Sequence, residues 1–480
     1  MKLCLSIAPT TTAEAIEKLK SVESTVDLVE VRVDCIQDLD LQKLLRKPRP
    51  KVIITNRREE EGGKFSGSSA QQYEILSEAL RHGAEFVDIE LSWGLRQVRQ
   101  QLKRLQSIDS RAKVIVSYHN FNSAPSNLLS IYENIRNVGA PIVKIAVMAA
   151  DIKDNRKIFE LCRQARSDKQ PIIAICMGEK GEISRILTGK YGAYLTFGAL
   201  RAEEPTAPGQ RTTDDLTNIF RIHTLTSRTK VFGLVGNPVA LSKGIYFHNR
   251  IFNRRTLNAV YVNFLVDNLR DFLSTFRELT TGLSVTMPFK QEIIPYIDTI
   301  SHDALALKSA NTVIKRRGRL HGYNTDLPAI VSALRKRTSL KNKDVIVLGT
   351  GATSKTMAYG TAVNGARVTI IGRNATKAKT LAGELNCNWA TLSDVSSLRA
   401  DIIMNGTSVG MSSNSGVKTE ELVPKKFFRR EMIVFDAVHS PSMTRLLREA
   451  QDAGCTTITG AELFERQARL QSKFFVESIQ

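Results

Sequence analysis

The sequence lacks the features of a membrane protein or a disulfide-bonded protein. No apolar run approaches the roughly 20 residues that a membrane helix requires. The short apolar start runs into Pro9 and three threonines, so we interpret it as a first β-strand and not as a signal peptide. The six cysteines are scattered and form no CxxC pair. This pattern predicts a cytoplasmic protein with neither a disulfide framework nor a metal site.

The sequence also lacks a basic tail and any interleaving of aromatic with basic residues, although its net charge is +20. Lys and Arg are instead spread along the whole chain, which argues against a nucleic-acid partner. Excess positive charge also steers small carboxylates and phosphates toward an enzyme. We therefore expect small-molecule substrates without nucleic-acid or membrane partners, and we favour a monomer over a homo-oligomer.

At 480 residues the chain is expected to form two or three domains. In the first half, short β-rich runs alternate with segments of helical period. The runs cover Lys2–Ala8, Leu28–Val33, Val52–Thr55, Phe86–Leu91, Lys113–Tyr118, Ile142–Val147, Pro171–Met177 and Tyr194–Leu200. Eight strands alternating with helices predict a parallel (β/α)₈ TIM barrel. A shorter open α/β sheet is the competing architecture, but it does not need eight units.

The run Ile142–Val147 carries one amine, Lys144, between apolar neighbours. Desolvation disfavours an ammonium group, and a neutral amine is a nucleophile that forms a Schiff base with a carbonyl. The alternative is a lysine at a strand end whose amine reaches solvent.

Other polar residues also occur at or after the ends of these strands, where a barrel places its chemistry. They are Ser6, Glu30, Arg32, Asp34, Arg57, Glu61, Asp88, Glu90, His119, Arg185, Thr206 and Gln210. Each alone is more often structural. Inward-facing charges on so many strands are hard to explain by packing, because unpaired buried charge is costly.

These residues occur in motifs that resemble type I 3-dehydroquinate dehydratase over about residues 1–220. The motifs are Glu30-Val31-Arg32, Arg57 with Glu61-Gly62-Gly63, Ser117-Tyr118-His119, the Lys144 strand, Gly181–Arg185 and Ala207–Gln210. The resemblance implies that Lys144 condenses with the substrate ketone, while His119, oriented by Glu61, moves the protons at a pKa near the working pH. It implies substrate contacts at Ser6, Glu30, Arg32, Arg57, Arg185, Thr206 and Gln210.

A second Gly-rich pattern begins at Val345–Leu348, a predicted strand. The turn after it, from Gly349 to Ser354, reads GxGxxS, and a helix and the strand Arg367–Ile371 follow. Such a βαβ unit can hold a pyrophosphate at the helix N-terminus, although a plain tight turn is the alternative. Arg373 and Lys377 follow the second strand, where an NAD site has a carboxylate, so they favour NADP unless they are surface cations.

The surrounding motifs resemble shikimate dehydrogenase over about residues 230–480. They are Gly233–Pro238 with Ser242, Val285–Lys290, Ala310–Thr312, Asn324–Asp326, Asn405–Met411, Asp436, and Gly460 with Gln467. The resemblance implies that Lys290, paired with Asp326, protonates the developing alkoxide, although such a pair is also an ordinary salt bridge. It implies substrate contacts at Ser242, Thr286, Asn311 and Gln467. It implies NADPH contacts at Gly349, Thr350, Gly351, Ala352, Thr353, Arg373, Asn374, Lys377, Thr407 and Gly460.

Several positions depart from the dehydrogenase pattern, and most of them concern substrate binding. They are Leu241, Gly244, Ser284, Ser309, His439 and Glu462. Gly244 removes one hydroxyl contact to the substrate carboxylate. We therefore expect the chemistry to be kept, while discrimination between shikimate and quinate stays open.

Together the two resemblances predict a bifunctional enzyme that dehydrates 3-dehydroquinate and then reduces 3-dehydroshikimate to shikimate with NADPH. The predicted domains are a dehydratase barrel (1–222), a linker (223–229), a substrate lobe (230–338 and 441–480) and a Rossmann-like NADP-binding lobe (339–440). The helices Pro441–Asp452 and Glu462–Glu477 are expected to pack on the substrate lobe. The alternatives are a catalytically silent ligand-sensing regulator, a class I aldolase in the first half, and a quinate dehydrogenase in the second.

Overall fold

The computed structural model divides the chain into two compact units, residues 1–280 and residues 281–480. It describes residues 1–109, 111, 113–413, 416–417 and 420–479. Within these residues, no helix is both long enough and apolar enough to cross a membrane.

The first unit contains the predicted barrel. Its strands are β1 Lys2–Ile7, β2 Leu28–Arg32, β3 Val52–Thr55, β4 Phe86–Glu90, β5 Lys113–Asn120, β6 Ile142–Met148, β7 Ile172–Met177 and β8 Leu195–Gly198. Its helices are α1 Thr12–Lys20, α2 Leu41–Leu44, α3 Ser69–Arg81, α4 Leu95–Ile108, α5 Leu128–Asn137, α6 Asp154–Ser167 and α7 Glu182–Leu187. The parallel strands lie in the order β7-β6-β5-β4-β3-β2-β1-β8. The Tyr194 amide donates to the Ile172 carbonyl at 2.7 Å, which links the two ends of this order.

The interior of the barrel is apolar at one level and polar at another. A buried cluster that includes Cys4, Ile115 and Ile173 fills one level. In the ladder between β5 and β6, Ser117 is paired with Lys144, and His119 is paired with Ala146. Because side chains two residues apart share one face of a strand, Ser117 and His119 point to the same side of the sheet. The register therefore places His119 one step further along the strands than Lys144.

After the barrel the first unit continues with a shorter α/β segment. It contains β9 Lys230–Gly236, α8 Gly244–Arg254, β10 Ala259–Leu265 and α9 Leu269–Phe276. Strands β9 and β10 pair in parallel from Lys230 opposite Ala259 to Gly236 opposite Leu265. Aromatic side chains of β10 and α9 pack within this segment, with the rings of Phe264 and Phe272 centred 5.0 Å apart. The boundary predicted near residue 228 therefore falls inside a compact unit, and the four predicted domain ranges stay a prediction.

The second unit begins with a mostly antiparallel segment and a helix. The elements are β11 Thr280–Val285, β12 Thr299–Ile300, α10 His302–Leu307, β13 Thr312–Arg316, β14 Arg319–Tyr323 and α11 Asp326–Arg335. Strand β13 pairs antiparallel with both β11 and β14, and β12 pairs with β14 in parallel.

A six-stranded sheet with its helices follows. The elements are β15 Asp344–Leu348, α12 Ala352–Ala362, β16 Arg367–Ile371, α13 Ala375–Leu385, β17 Asn388–Ala390, β18 Ile402–Asn405, β19 Ser412–Ser413, β20 Gly416–Val417, β21 Ile433–Asp436, α14 Arg445–Asp452, β22 Thr456–Ile458 and α15 Gly460–Glu477. The sheet has the order β17-β16-β15-β18-β21-β22. Its paired strands are all parallel, and apolar clusters on both faces bury it, as a doubly wound α/β fold requires. The predicted Rossmann-like lobe is confirmed.

One expected packing arrangement differs in the structure. Leu446, Leu447 and Ala450 of α14 are buried in the apolar cluster that also contains Ile346 and Ile403 of the parallel sheet. Helix α14 therefore covers this sheet and does not return to the substrate lobe. The physical reason is β22, which extends the sheet and needs a helix connection from β21. Helix α15 packs on α11, as predicted for the return of the chain.

Candidate active sites

Lys144 lies on β6 inside the barrel and is 5% exposed. Its Nζ donates to Glu30 Oε1 at 3.2 Å and to Asp88 Oδ2 at 3.0 Å. The ring of Phe197 is centred 4.7 Å from the same nitrogen. The sequence neighbours of Lys144 predict purely apolar surroundings for its amine. The surroundings are instead partly charged, because two carboxylates from other strands reach the amine. Either carboxylate can accept the proton that the amine must lose before it attacks a carbonyl.

The two carboxylates are held ionised by hydrogen bonds and cations. Burial alone would raise the pKa of Glu30, but Lys144 and a 2.6 Å hydrogen bond from Ser6 lower it further than burial raises it. The pKa of Asp88 is likewise lowered against the effect of burial, by Arg57 and Lys144. Ser6 therefore contacts Glu30, and its predicted contact with substrate stays a prediction.

His119 lies beside Glu61, with 2.7 Å between Nδ1 and Oε2. Burial lowers the pKa of His119 well below its usual value, and the cations Arg57, Lys144 and Arg32 lower it further. Burial raises the pKa of Glu61 to about 7. Both shifts favour a neutral pair over an ion pair, so the imidazole is ready to accept a proton. The direction differs from the expected pKa near the working pH, because burial and then three cations disfavour the charged imidazole.

Arg57 is a fixed cation beneath this pair. It donates to Asp88 at 2.8 Å, to Glu90 at 3.0 Å and to Ser117 at 2.9 Å. Burial acts to lower its pKa, but Asp88 and Glu90 reverse the shift and raise it. Gln72 of α3, a fully buried side chain, donates to the other oxygen of Glu90 at 2.9 Å. Sequence reasoning missed this residue, since a Gln on an outer helix belongs to no motif.

Arg185 is 1% exposed, and burial lowers its pKa to about 10. It donates to the Pro208 carbonyl at 2.9 Å, while its Nε has no partner among the described residues. Such a cation favours an anionic ligand, because an unpaired buried charge is costly. The amide of Gln210 accepts from the Thr206 main-chain N–H and donates to the Thr206 hydroxyl.

One cavity joins these groups. Nine of the predicted barrel residues line it, namely Glu30, Arg32, Arg57, Glu61, His119, Lys144, Arg185, Thr206 and Gln210. The structure therefore brings together the nucleophile, the proton-transfer pair and the cations that the sequence predicts.

Ser242 precedes α8 in the first unit, and its hydroxyl accepts from the Gly244 amide at 3.2 Å. A Cβ at Gly244 would lie 3.2 Å from the Ser242 hydroxyl and 3.3 Å from the Tyr261 hydroxyl. Both contacts are tight, so a side chain at this position would require Ser242 or Tyr261 to shift by a few tenths of an ångström.

Lys290 and Asp326, in the second unit, form the predicted pair with 2.7 Å between Nζ and Oδ2. Their side chains are 21% and 15% exposed, which is more shielded than an ordinary surface pair. Asp326 is the first residue of α11, where Asn324 Oδ1 accepts from its main-chain N–H at 3.1 Å. The helix start thus fixes where the carboxylate holds the amine.

Asn311 is buried and contacts the residue that precedes Asp326. Its Oδ1 accepts from the Thr325 main-chain N–H at 2.8 Å, which leaves the amide nitrogen as its donor group. Gln471 of α15 donates to the Asn311 carbonyl at 3.0 Å and accepts from Ser284 at 2.9 Å. Sequence reasoning missed Gln471, although its position four residues after Gln467 puts both on one face of a helix.

Thr286 and Gln467 are half-buried. Thr286 directly follows β11, and Gln467 lies within α15. Their predicted contacts with substrate stay predictions.

The Gly-rich turn lies between β15 and α12. Gly349 has a φ of +104°, and its Cβ would lie 2.6 Å from the Ser354 hydroxyl and 2.8 Å from the Thr407 side chain. A Cβ at Gly351, the residue that precedes α12, would meet nothing within 4 Å. Ser354 replaces the third glycine of the GxGxxG pattern, and its hydroxyl donates to the Leu348 carbonyl at 3.2 Å. Open space at the start of a helix of this fold suits a pyrophosphate. The same segment contains the predicted contacts Thr350, Ala352 and Thr353.

Arg373 is exposed, with a loose ion pair of 3.9 Å to Glu420. Asn374 caps α13, because its Oδ1 accepts from the Lys377 amide at 3.0 Å. This cap gives Asn374 a structural role that the sequence did not predict. Two cations, Arg373 and Lys377, and no carboxylate follow β16 along the chain, which fits a 2′-phosphate.

Gly460 approaches the main chain closely, since a Cβ there would lie 2.2 Å from the Val438 carbonyl oxygen.

Two departures from the dehydrogenase pattern have structural partners. The ring of His439 stacks on Phe464, with centroids 5.2 Å apart. Glu462 accepts from Arg337 at 2.8 Å and from Arg466 at 2.9 Å. Burial acts to raise the pKa of Glu462, but the two arginines lower it. Glu462 therefore joins α11 to α15 through an ion-pair network.

The fold and the two sites define an enzyme with two activities, in which a lyase barrel precedes a dinucleotide-dependent dehydrogenase. The chain is 36% identical over 490 residues to the bifunctional 3-dehydroquinate dehydratase/shikimate dehydrogenase, chloroplastic, of Arabidopsis thaliana. That match covers 96% of this chain and 79% of the relative. The chain belongs to the family of bifunctional 3-dehydroquinate dehydratase/shikimate dehydrogenases, and the predicted resemblance is confirmed.

Family models and further relatives agree with this assignment. Residues 3–227 match type I 3-dehydroquinase, residues 234–313 the shikimate dehydrogenase substrate binding domain, and residues 332–448 the shikimate/quinate 5-dehydrogenase model. The shikimate biosynthesis protein AroDE of Chlamydia pneumoniae is 28% identical over 98% of this chain and 94% of its own. The NADP(+)-dependent shikimate dehydrogenase of Pyrococcus abyssi is 38% identical over 48% of this chain and 86% of its own.

Proposed function

We propose that this chain dehydrates 3-dehydroquinate to 3-dehydroshikimate in the barrel and reduces that product to shikimate with NADPH in its second half. The observation that carries the proposal is the position of Lys144 in one cavity with the His119–Glu61 pair and Arg185. The product of the first reaction is the substrate of the second, which accounts for both sites in one chain.

In the barrel, Lys144 attacks the C3 ketone after passing a proton to Glu30 or Asp88, and loss of water gives a cationic imine. The imine withdraws electrons and acidifies the neighbouring C2–H. His119 accepts that proton, since its surroundings keep the imidazole neutral, and Glu61 fixes its Nδ1. His119 then returns the proton to the C1 hydroxyl, which leaves as water. Hydrolysis of the imine frees the product and Lys144.

The cations around the cavity select an anionic ligand. Arg185 holds the substrate carboxylate, because it is buried with an unpaired Nε. Arg32 is already paired with Asp34 at 2.6 Å, so it contributes charge without needing a new partner. Gln210 and Thr206 bind substrate hydroxyl groups.

In the second half, Lys290 donates a proton to the C3 oxygen of 3-dehydroshikimate. Asp326 accepts from its ammonium at 2.7 Å and aims it. NADPH supplies the hydride when it is bound, and the turn from Gly349 to Gly351, with Arg373 and Lys377, would hold it. Asn311, Thr286 and Gln467 bind polar groups of the substrate, and the contact predicted for Ser242 stays a prediction from the sequence.

A coupled assay tests the proposal. Purified chain given 3-dehydroquinate and NADPH is expected to oxidise the cofactor, and borohydride with 3-dehydroquinate is expected to label the Lys144 peptide. Two variants control for each other: Lys144→Met should keep only the reduction of 3-dehydroshikimate, and Lys290→Met only the dehydration. An unlabelled Lys144 peptide in an otherwise active chain would overturn the imine step. A chain that binds these compounds without turnover would instead be the ligand-sensing regulator.

We also propose that the chain acts as a monomer in a reducing cytosol. All six cysteines are free thiols, and four of them are buried. Sedimentation of the purified chain tests the first part, and fractionation of cells tests the second.

A further inference from the structure

Arg211 directly follows Gln210 but does not line the barrel cavity. Its guanidinium donates to Glu182 Oε1 at 2.9 Å and lies 3.7 Å from Asp215 Oδ2. The three side chains are 16% to 20% exposed. Because water screens this cluster poorly, its ion pairs contribute more than pairs on an open surface do.

Glu182 is the first residue of α7, the helix that carries Arg185. The Arg211–Glu182 pair therefore connects the end of the Gln210 loop to the start of the Arg185 helix. Main-chain bonds hold the base of the same loop, since the Ala199 amide donates to the Arg211 carbonyl at 2.9 Å. The side chain of Arg211 adds a contact from this base across to the helix.

A residue from beyond the barrel completes the cluster. The hydroxyl of Tyr246, on α8, donates to Asp215 Oδ2 at 3.3 Å. Burial raises the pKa of Asp215, and both Arg211 and the Tyr246 hydroxyl counter that rise. The Asp215 carboxylate thus lies between a barrel arginine and a tyrosine of the α/β segment from β9 to α9, which we call the dehydrogenase segment.

We propose that Arg211 is a positioning residue for the dehydratase reaction, which sets Gln210 and Arg185 in their relative places, and that Tyr246 from the dehydrogenase segment helps to fix it. This inference rests on the proposed contacts of Gln210 and Arg185 with substrate. It makes the dehydrogenase segment a structural contributor to substrate binding in the barrel.

The test uses steady-state kinetics of the full chain. Arg211→Met is expected to raise the KM for 3-dehydroquinate about ten-fold, the loss of one charge-assisted contact, with kcat changed less than about two-fold. KM and kcat should respond differently because Lys144 and His119, which carry out the reaction, lie outside the cluster of Arg211, Glu182 and Asp215. Arg211→Lys should recover part of the affinity. Glu182→Gln should weaken it in the same direction, which keeps the test available if Arg211→Met does not fold.

Tyr246→Phe removes only the hydroxyl. We expect it to raise the same KM about four-fold, as for one hydrogen bond to a carboxylate, with reduction of 3-dehydroshikimate unchanged as the internal control, and an unchanged KM would exclude Tyr246 from the positioning role. In a chain that already carries Arg211→Met, Tyr246→Phe should have no further effect on this KM, because Asp215, to which Tyr246 donates, then has no arginine to hold.

Two outcomes would overturn the inference: a KM for Arg211→Met within about two-fold of the parent, or a lower melting temperature with unchanged KM, which indicates a purely structural role. Arg185→Met and Gln210→Ala separate this failure from failure of the site itself. If those two variants raise KM while Arg211→Met does not, the positioning role is wrong. If neither raises KM, the substrate contacts are wrong, and the inference falls with them.

Discussion

Replacing Glu61 with glutamine should make the protein more stable at alkaline pH while weakening the dehydratase. The Glu61 carboxyl is 5% exposed, and burial raises its pKa from 4.5 to about 7. Because it ionises less readily in the folded chain, the unfolded chain binds fewer protons between these two pH values. The free energy of unfolding therefore falls as the pH rises through this window, and the full loss is present above it. The shift corresponds to up to about 3 kcal/mol.

The amide introduced by Glu61→Gln cannot ionise, so the variant should lose this part of the pH dependence. Urea unfolding of both proteins at pH 5 and pH 8 measures it, with the slope of each transition checked for equality. We expect the parent to lose up to about 3 kcal/mol more than Glu61→Gln between the two pH values. His119 is present in both chains, so its own titration largely cancels in the difference. Parallel stability profiles for the two proteins would refute the reasoning. At the same time kcat for dehydration should fall, because an amide cannot ionise to balance the positive charge that His119 gains when it accepts a proton.

Three further predictions concern the other described contacts. Lys144→Met should destabilise the barrel by about 3–5 kcal/mol, since Glu30 and Asp88 lose a buried counter-ion, and denaturant titration that shows less than about 1 kcal/mol would contradict the pairing. Replacing Arg373 and Lys377 together by Ala should raise the KM for NADPH much more than that for NADH, and equal changes would contradict a 2′-phosphate contact. Gln471→Leu should cost about 1–3 kcal/mol, because two buried polar partners lose their hydrogen bonds; an unchanged unfolding midpoint would count against it.

Contacts made within a motif were predictable from the sequence, and contacts made between strands mostly were not. The apolar flanks of Lys144 make it a candidate nucleophile, but those flanks could not show Asp88, which reaches it from a strand 56 residues away. For the same reason the lowered pKa of His119 could not be predicted, since it follows from burial and from three cations that lie on or just after three other strands.

The remaining differences arise where local chemistry competes with a motif. Asn374 lies where a cofactor contact is expected, yet a helix start needs a side-chain acceptor, and Asn374 supplies it. The sequence predicts that helix α14 packs on the substrate lobe. Its apolar face instead fits the parallel sheet, which is a matter of packing that no single stretch of sequence records.

The register between β5 and β6 sets the main chains of Lys144 and His119 at different heights in the barrel. Since two residues span about 6.6 Å along a strand, their Cα atoms lie at successive levels. Exchanging the side chains of Ser117 and His119 would place the imidazole beside Arg57, where Ser117 now contacts both Arg57 and Asp88. To change the reaction while keeping the imine, substitutions should therefore be made only at the level of His119.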